Sequence, residues 1–157
     1  MTKLSQFFEP EFSAPLRDFF ETQIPFNQLL GLRIASIEPS EVRGSLRMRP
    51  ELIGHFAHQR LHGGVISATL DAMAGIAIMA AIGARHMDES PQSRLQRFGK
   101  LGTIDLRIDY LRPAKGDMFQ LRAEVMRLGS RVASARMEFS DAQGQLLSTG
   151  AAAYIVA

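Results

Sequence analysis

Asp71 is the residue whose setting most calls for a chemical explanation. It lies in the run 65–82, VISATLDAMAGIAIMAAI, made mostly of Val, Ile, Ala, Met and Leu, where an ionised carboxylate is costly to bury without a partner. Either it faces an interface or pairs with an arginine, or it takes part in a reaction. The three residues His62-Gly63-Gly64, just ahead of the run, favour the reaction. Without Cβ atoms, glycines let a ligand approach the backbone. At a helix start the N–H groups point outward and carry partial positive charge, and donors of that kind stabilise an oxyanion. Gly63 and Gly64 are thus candidate donors, and Asp71 a candidate base or nucleophile.

Spacing constrains how these parts meet. Gly63 and Asp71 are eight residues apart, or about 12 Å along a helix rising about 1.5 Å per residue. One small reacting centre in a single chain can hardly touch both. A site shared by two subunits, with Gly63 from one and Asp71 from the other, resolves this and predicts an obligate homodimer or larger assembly. His55, His58 and His62 are spaced by three and four, which on a helix would place them on one face as metal ligands. Gly54 and the Gly63-Gly64 pair argue against a continuous helix there, and no carboxylate or thiolate lies close by, so no metal site is expected. His86, in a polar stretch, reads as surface. Phosphate could be met by Arg112 and Lys115 in the loop 111–116, and by Ser130 and Arg131 after Gly129, where cations stand beside exposed backbone. No Walker-type or dinucleotide glycine motif accompanies them.

The elements that must position these groups follow from periodicity. Among the first thirty residues, Phe7, Phe8, Phe12, Leu16, Phe19, Phe20, Ile24 and Phe26 recur at roughly helical spacing between Pro10, Pro15 and Pro25, which predicts short amphipathic helices. From Leu32 the period becomes two, and Val42, Gly44, Leu46 and Met48 alternate with Arg43, Ser45, Arg47 and Arg49 after a turn at Pro39 and Ser40. A loop from Pro50 to Leu61 leads into the apolar helix, which is expected to end near Gly83. Residues 85–100 read as a polar, mobile connection. Four strands follow: 103–110, 119–126, 132–139 and 146–156, the last carrying Gly150-Ala151-Ala152-Ala153, small enough for close approach of another element. A helix apolar on every face must be covered all round. An antiparallel sheet curled about it does so, which predicts an α+β fold with a wrapped central helix.

Composition removes several classes of function. A chain of 157 residues is the size of one domain, and 1–157 is read as one, with 1–30 as a helical extension. There is no Cys, which excludes a disulfide framework, a thiolate zinc site and a cysteine nucleophile. Eighteen Lys and Arg stand against sixteen Asp and Glu, a near balance that does not suggest nucleic-acid binding. Fifteen of the basic residues are Arg, the better bidentate partner for phosphate or carboxylate. Glu9, Glu11 and Asp18 break up the N-terminal aromatics where a secretion signal would need a basic segment and an apolar run. The expected location is therefore the cytoplasm. Residues 65–82 are marginally short for a membrane span and hold Asp71 near the middle, so a buried core helix is the expectation and no membrane association.

Two segments, LHGGVISATLDAMAG at 61–75 and GTIDLRIDYLRPAKGD at 102–117, together resemble the hotdog-fold thioesterase superfamily. Within it they are most similar to the phenylacetate-pathway (PaaI-like) branch and the YigI-type bacterial acyl-CoA thioesterases. The resemblance runs from Pro25-Phe26 to the last strand. It implies a six-stranded antiparallel sheet around the helix, and homodimers often paired into homotetramers with active sites at the subunit interface. The implied reaction is hydrolysis of medium- to long-chain, or aromatic, acyl-CoA without a cofactor. Gly63 would polarise the thioester carbonyl, Asp71 would be general base or nucleophile, and Thr103 would hold water or substrate. His62, which opens the His-Gly-Gly, and His55 are further catalytic candidates. His55 stands where many members of the superfamily have Asn, and an imidazole there can still donate a hydrogen bond but also titrates near neutrality. Two alternatives share the scaffold. Gly54-His55-Phe56 is similar to a segment of hotdog dehydratases, although Ala57 replaces their Pro and Asp71 their Glu. A non-catalytic acyl-CoA-binding protein is the other.

Overall fold

The structure, a computed structural model, describes residues 7–157. The part of the N-terminal extension before Phe7 lies outside the described residues. Helix α1 (Pro10–Asp18) opens with Pro10 in its first turn and runs into a wider π-helical turn, Phe19–Gln23, before α2 (Pro25–Leu30). Gly31, at φ 75°, closes α2 in the left-handed conformation that glycine adopts without strain. Strands β1 (Arg33–Ile37) and β2 (Glu41–Arg47) form a hairpin across the turn expected at Pro39 and Ser40. The loop after them is more ordered than its composition suggests: β3 (Ile53–His55) and β4 (Arg60–Leu61) make a separate two-stranded ribbon.

Next comes α3, Gly63–Arg85, rich in Ala, Ile and Met. The five strands β2, β5 (Gly102–Tyr110), β6 (Met118–Leu128), β7 (Val132–Asp141) and β8 (Leu146–Ile155) pack against it. With β1 they form one antiparallel sheet in the order β1-β2-β6-β7-β8-β5. Burial explains the helix's composition. Leu70, Met73, Ile76 and Ile78 are sealed inside with Phe119, Met137 and Phe139 from the sheet, each such side chain contributing about 1.5–3 kcal/mol of hydrophobic free energy. By length and composition α3 could cross a membrane, but 72% of its most apolar stretch is already covered by protein.

One expectation fails here. Residues 85–100 are not an irregular connection but contain α4 (Pro91–Gln96) and a 3₁₀ turn, Arg97–Lys100. Ser90 caps α4 by accepting from the Ser93 N–H at 3.2 Å, and Pro91 presets the first turn. Arg94 is the anchor. Only 1% exposed, it forms an ion pair with Glu9 and lies 4.5 Å from the Phe12 ring centre, fastening α4 to α1. Burial pushes its guanidinium below the usual Arg range. Beside it, Arg97 holds the Glu89 carboxyl down at about 2.

Candidate active site

The register of the last sheet pair builds the surroundings of Asp71. Thr103 on β5 lies directly opposite Tyr154 on β8, so two hydroxyls stand side by side over the same turn of α3. Thr103 Oγ1 donates to Asp71 Oδ1 at 2.9 Å. Tyr154 presents its hydroxyl to that same Oδ1 and to the backbone carbonyl of Asp71. Burial, then the adjacent carboxylate, raises the Tyr154 pKa far above the ordinary phenol range, so it stays a proton donor at any working pH. Both bonds end on Oδ1, and Oδ2 has no hydrogen-bond partner among the described residues. No Lys, Arg or His among those residues forms an ion pair with Asp71. Within the chain, arginine pairing does not explain this carboxylate. It borders a largely apolar cavity of about 340 Å³ walled by Phe20, Ala72, Gly75, Leu101 and Tyr154.

The start of α3 is wired differently. His62 is the N-cap, its Nδ1 accepting from the Gly64 N–H at 2.8 Å, and the N–H groups of Val65 and Ile66 turn back to the His62 carbonyl. Of the four N–H groups that a helix start leaves over, only that of Gly63 has no acceptor among the described residues. Gly64 therefore does not offer a donor to a ligand; a Cβ there would press on the His62 ring at 3.0 Å. The His62 ring is likewise engaged by its cap. Tyr110, at the far end of β5, donates to the Gly63 carbonyl at 2.8 Å and fixes that residue from outside the helix.

Gly63 and Asp71 open onto different cavities. Gly63 shares a groove of about 370 Å³ with Arg60, Tyr110, Leu111 and Arg112. The four residues suggested for phosphate are not one cluster. Arg112 donates to the Leu146 carbonyl at one end of β8, whereas Arg131 accepts from the Val156 N–H at the other, a separation of roughly 30 Å for a strand of this length. Ser130 lies with Arg131's end, in a groove beside Arg85 and Lys100, and Lys115 sits exposed in the loop before β6. His55, on the small ribbon, stacks with Phe56 and His58 and shares no cavity with Asp71. Its Nδ1 is buried without a partner. Among the described residues no three His, Asp or Glu side chains gather as a metal site would require.

Residues 58–148 match the family model of the thioesterase superfamily. The chain belongs to that superfamily. It is 34% identical over 139 residues to the medium/long-chain acyl-CoA thioesterase YigI of Escherichia coli, spanning 88% of this chain and 90% of that one, and 35% identical over the same length to YigI of Salmonella typhimurium. A crystal structure from Shewanella oneidensis, of a protein related to the thioesterase superfamily, superimposes with a TM-score of 0.86 at 38% identity, covering 92% of this chain and 94% of that one. The six-stranded sheet around one long helix is the hotdog fold expected from the two motif segments. Two residues of this candidate site escape sequence reasoning, Tyr154 and Tyr110. For Tyr154 a signal existed, because a tyrosine in a strand of small apolar residues is one the fold buries, and a buried phenol needs a partner for its hydroxyl; Tyr110 is more than half exposed and gave no such signal.

Proposed function

We propose that this protein hydrolyses medium- to long-chain acyl-CoA to free acid and CoA in the cytoplasm, at sites each assembled from two subunits. One observation carries the reading: the N–H at the start of α3 and the carboxylate oxygen that have no partner among the described residues lie eight residues apart on one helix and open onto different cavities. Strand β5 offers the means of joining them. It is an edge of the sheet, with Thr103 beside Asp71 near its start and Tyr110 beside Gly63 at its end. Ile104 and Tyr110 are more than half exposed on it. If two β5 edges pair antiparallel about a two-fold axis, the Tyr110 end of each subunit meets the Thr103 end of its partner. Gly63 of one chain then approaches Asp71 of the other.

In such a site the Gly63 N–H donates to the thioester carbonyl oxygen and holds the negative charge that develops there. Asp71, held through Oδ1 by two hydroxyls, directs Oδ2 to a water as general base or to the carbonyl carbon as nucleophile. Arg60 and Arg112, beside Gly63, are placed for the phosphates of CoA. The experiment is thiol release from a series of acyl-CoAs by the wild type and by Asp71→Asn. Length-dependent release that falls at least about a hundredfold in the variant supports the reading. No release by a properly assembled oligomer overturns it, and enoyl-CoA hydration in the same preparation would point to a dehydratase.

A further inference from the structure

Gly75 has no structural reason to be glycine. It is buried in the interior of α3, where glycine destabilises a helix relative to alanine. Other glycines are required by their neighbours: a Cβ on Gly83 would strike the Phe12 ring, and one on Gly44 would meet the Arg33 carbonyl oxygen at 2.7 Å. The nearest atoms that a Cβ on Gly75 would meet belong to Phe20 and Tyr154, at an ordinary 3.7 Å. Space over Gly75 is thus kept open where the protein's own packing does not require it.

That space leads somewhere. Beyond the cavity at Asp71 is a second one of about 420 Å³, lined by Leu16, Phe19, Met79, Leu95 and Phe98. Three walls continue from the first to the second in the same direction. On α3 the lining passes from Gly75 to Met79, one turn on; on the π-helical turn from Phe20 to Phe19; and before β5 from Leu101 back to Phe98. The two cavities therefore succeed one another along α3 without sharing a lining residue, and Gly75 and Phe20 belong to the part of the first that leads toward the second. Wide π turns recur where a side chain must be re-aimed at a site, and this one is held in place. Glu21 accepts from the Ile34 N–H at 2.6 Å, and Asn27 donates to the Phe20 carbonyl at 3.0 Å.

We propose that Gly75 is the neck of an acyl channel, that the substrate's hydrocarbon chain leaves Asp71, crosses Gly75 under Phe20 and ends against Met79 and Phe98, and that these residues set chain-length preference. The inference rests on the acyl-CoA reading above. From Asp71 to Met79 is about 12 Å of helix at about 1.5 Å per residue. An extended chain advancing roughly 1.2 Å per bond, as an extended backbone does, covers it in about ten bonds. Short acyl chains end before the neck and long ones fill both cavities.

The test measures kcat/KM from butanoyl- to hexadecanoyl-CoA for the wild type, Gly75→Ala, Gly75→Leu and Met79→Ala, with Tm for each. Each methylene denied its place costs roughly fourfold. Gly75→Leu, which also crowds Tyr154 beside Asp71, should therefore lower turnover of the longest substrates by more than about tenfold relative to that of butanoyl-CoA. Gly75→Ala should shift preference the same way by a smaller step with Tm unchanged or raised, and Met79→Ala should extend it toward longer chains. Should Gly75→Leu not fold, the other two variants decide. A uniform change at every length, or none, in folded variants overturns the channel while leaving the hydrolase reading intact. A wild type inactive on every length overturns both.

Discussion

Asp71 and Gly63 each have neighbours that restrict what they do. Among the described residues two neutral hydroxyls, and no cation, hold Asp71, so its charge is oriented without being cancelled. Among the same residues Gly63 is left as the one free donor at the start of α3 because His62 takes up the Gly64 N–H. Proline in place of Gly63 removes that donor and brings a Cβ that would meet the Tyr110 ring at 3.3 Å, which must yield by a few tenths of an ångström. Gly63 is the first helical residue and His62 before it is extended, at φ −65° and ψ 134°, which is the setting proline tolerates. Gly63→Pro should keep the fold, shown by an unchanged circular dichroism spectrum, while kcat falls by about 10²–10³ as the oxyanion donor is lost. A variant with near wild-type kcat would remove Gly63 from the mechanism. Asp71 and Gly63 were legible in the sequence because a charge in an apolar run and paired glycines before it are local anomalies. Thr103 was named through the family motif. Tyr154, which lies 83 positions from Asp71, was not, because only strand register brings the two together.

The elements with clear periodicity are where the sequence puts them: the first hairpin, α3 and the last four strands. Period two and a wholly apolar helix are imposed by burial, so they show in the residues themselves. The segment 85–100 differs because polar composition alone does not separate a loop from a short capped helix: Ser90-Pro91 is a helix start, and Arg94 is a charge that the fold buries. Its value to the fold is open to measurement. Glu9→Ala leaves the Arg94 guanidinium, 1% exposed, without its carboxylate. Full burial of such a pair would make the loss about 3–5 kcal/mol. Since the Glu9 side chain is 32% exposed, a loss of about 2 kcal/mol is expected by urea denaturation. Replacing both, as Glu9→Ala with Arg94→Met, should recover part of that loss, and a double variant no better than the single one would show that the pair is not coupled.

At the scale of the molecule, the proposed assembly makes a quantitative prediction. Asp71→Asn and Gly63→Pro subunits are each inactive alone, but a mixed dimer has one site with both defects and one with neither. After co-refolding an equal mixture, random pairing should restore roughly a quarter of wild-type activity. A mixture no more active than its components would mean that the two residues do not meet across subunits. The sequence pointed to this arrangement through helix rise alone; it could not show that β5 lies along the edge, since strand order is a property of the whole sheet. That strand also has a consequence of its own. It touches α3 at both ends, through Thr103 and Tyr110, and so acts as a gauge block whose span sets the distance between two half-sites. Thr103 and Tyr110 are seven positions apart, an odd number that would put them on opposite faces of a regular strand, and the irregularity between Thr103 and Asp105 is what lets both hydroxyls reach the helix, so inserting or deleting one residue between Asp105 and Tyr110 would turn one of them away. Between the two contacts Leu106 and Ile108 must stay apolar where they pack against the core, and the number of residues is fixed as well.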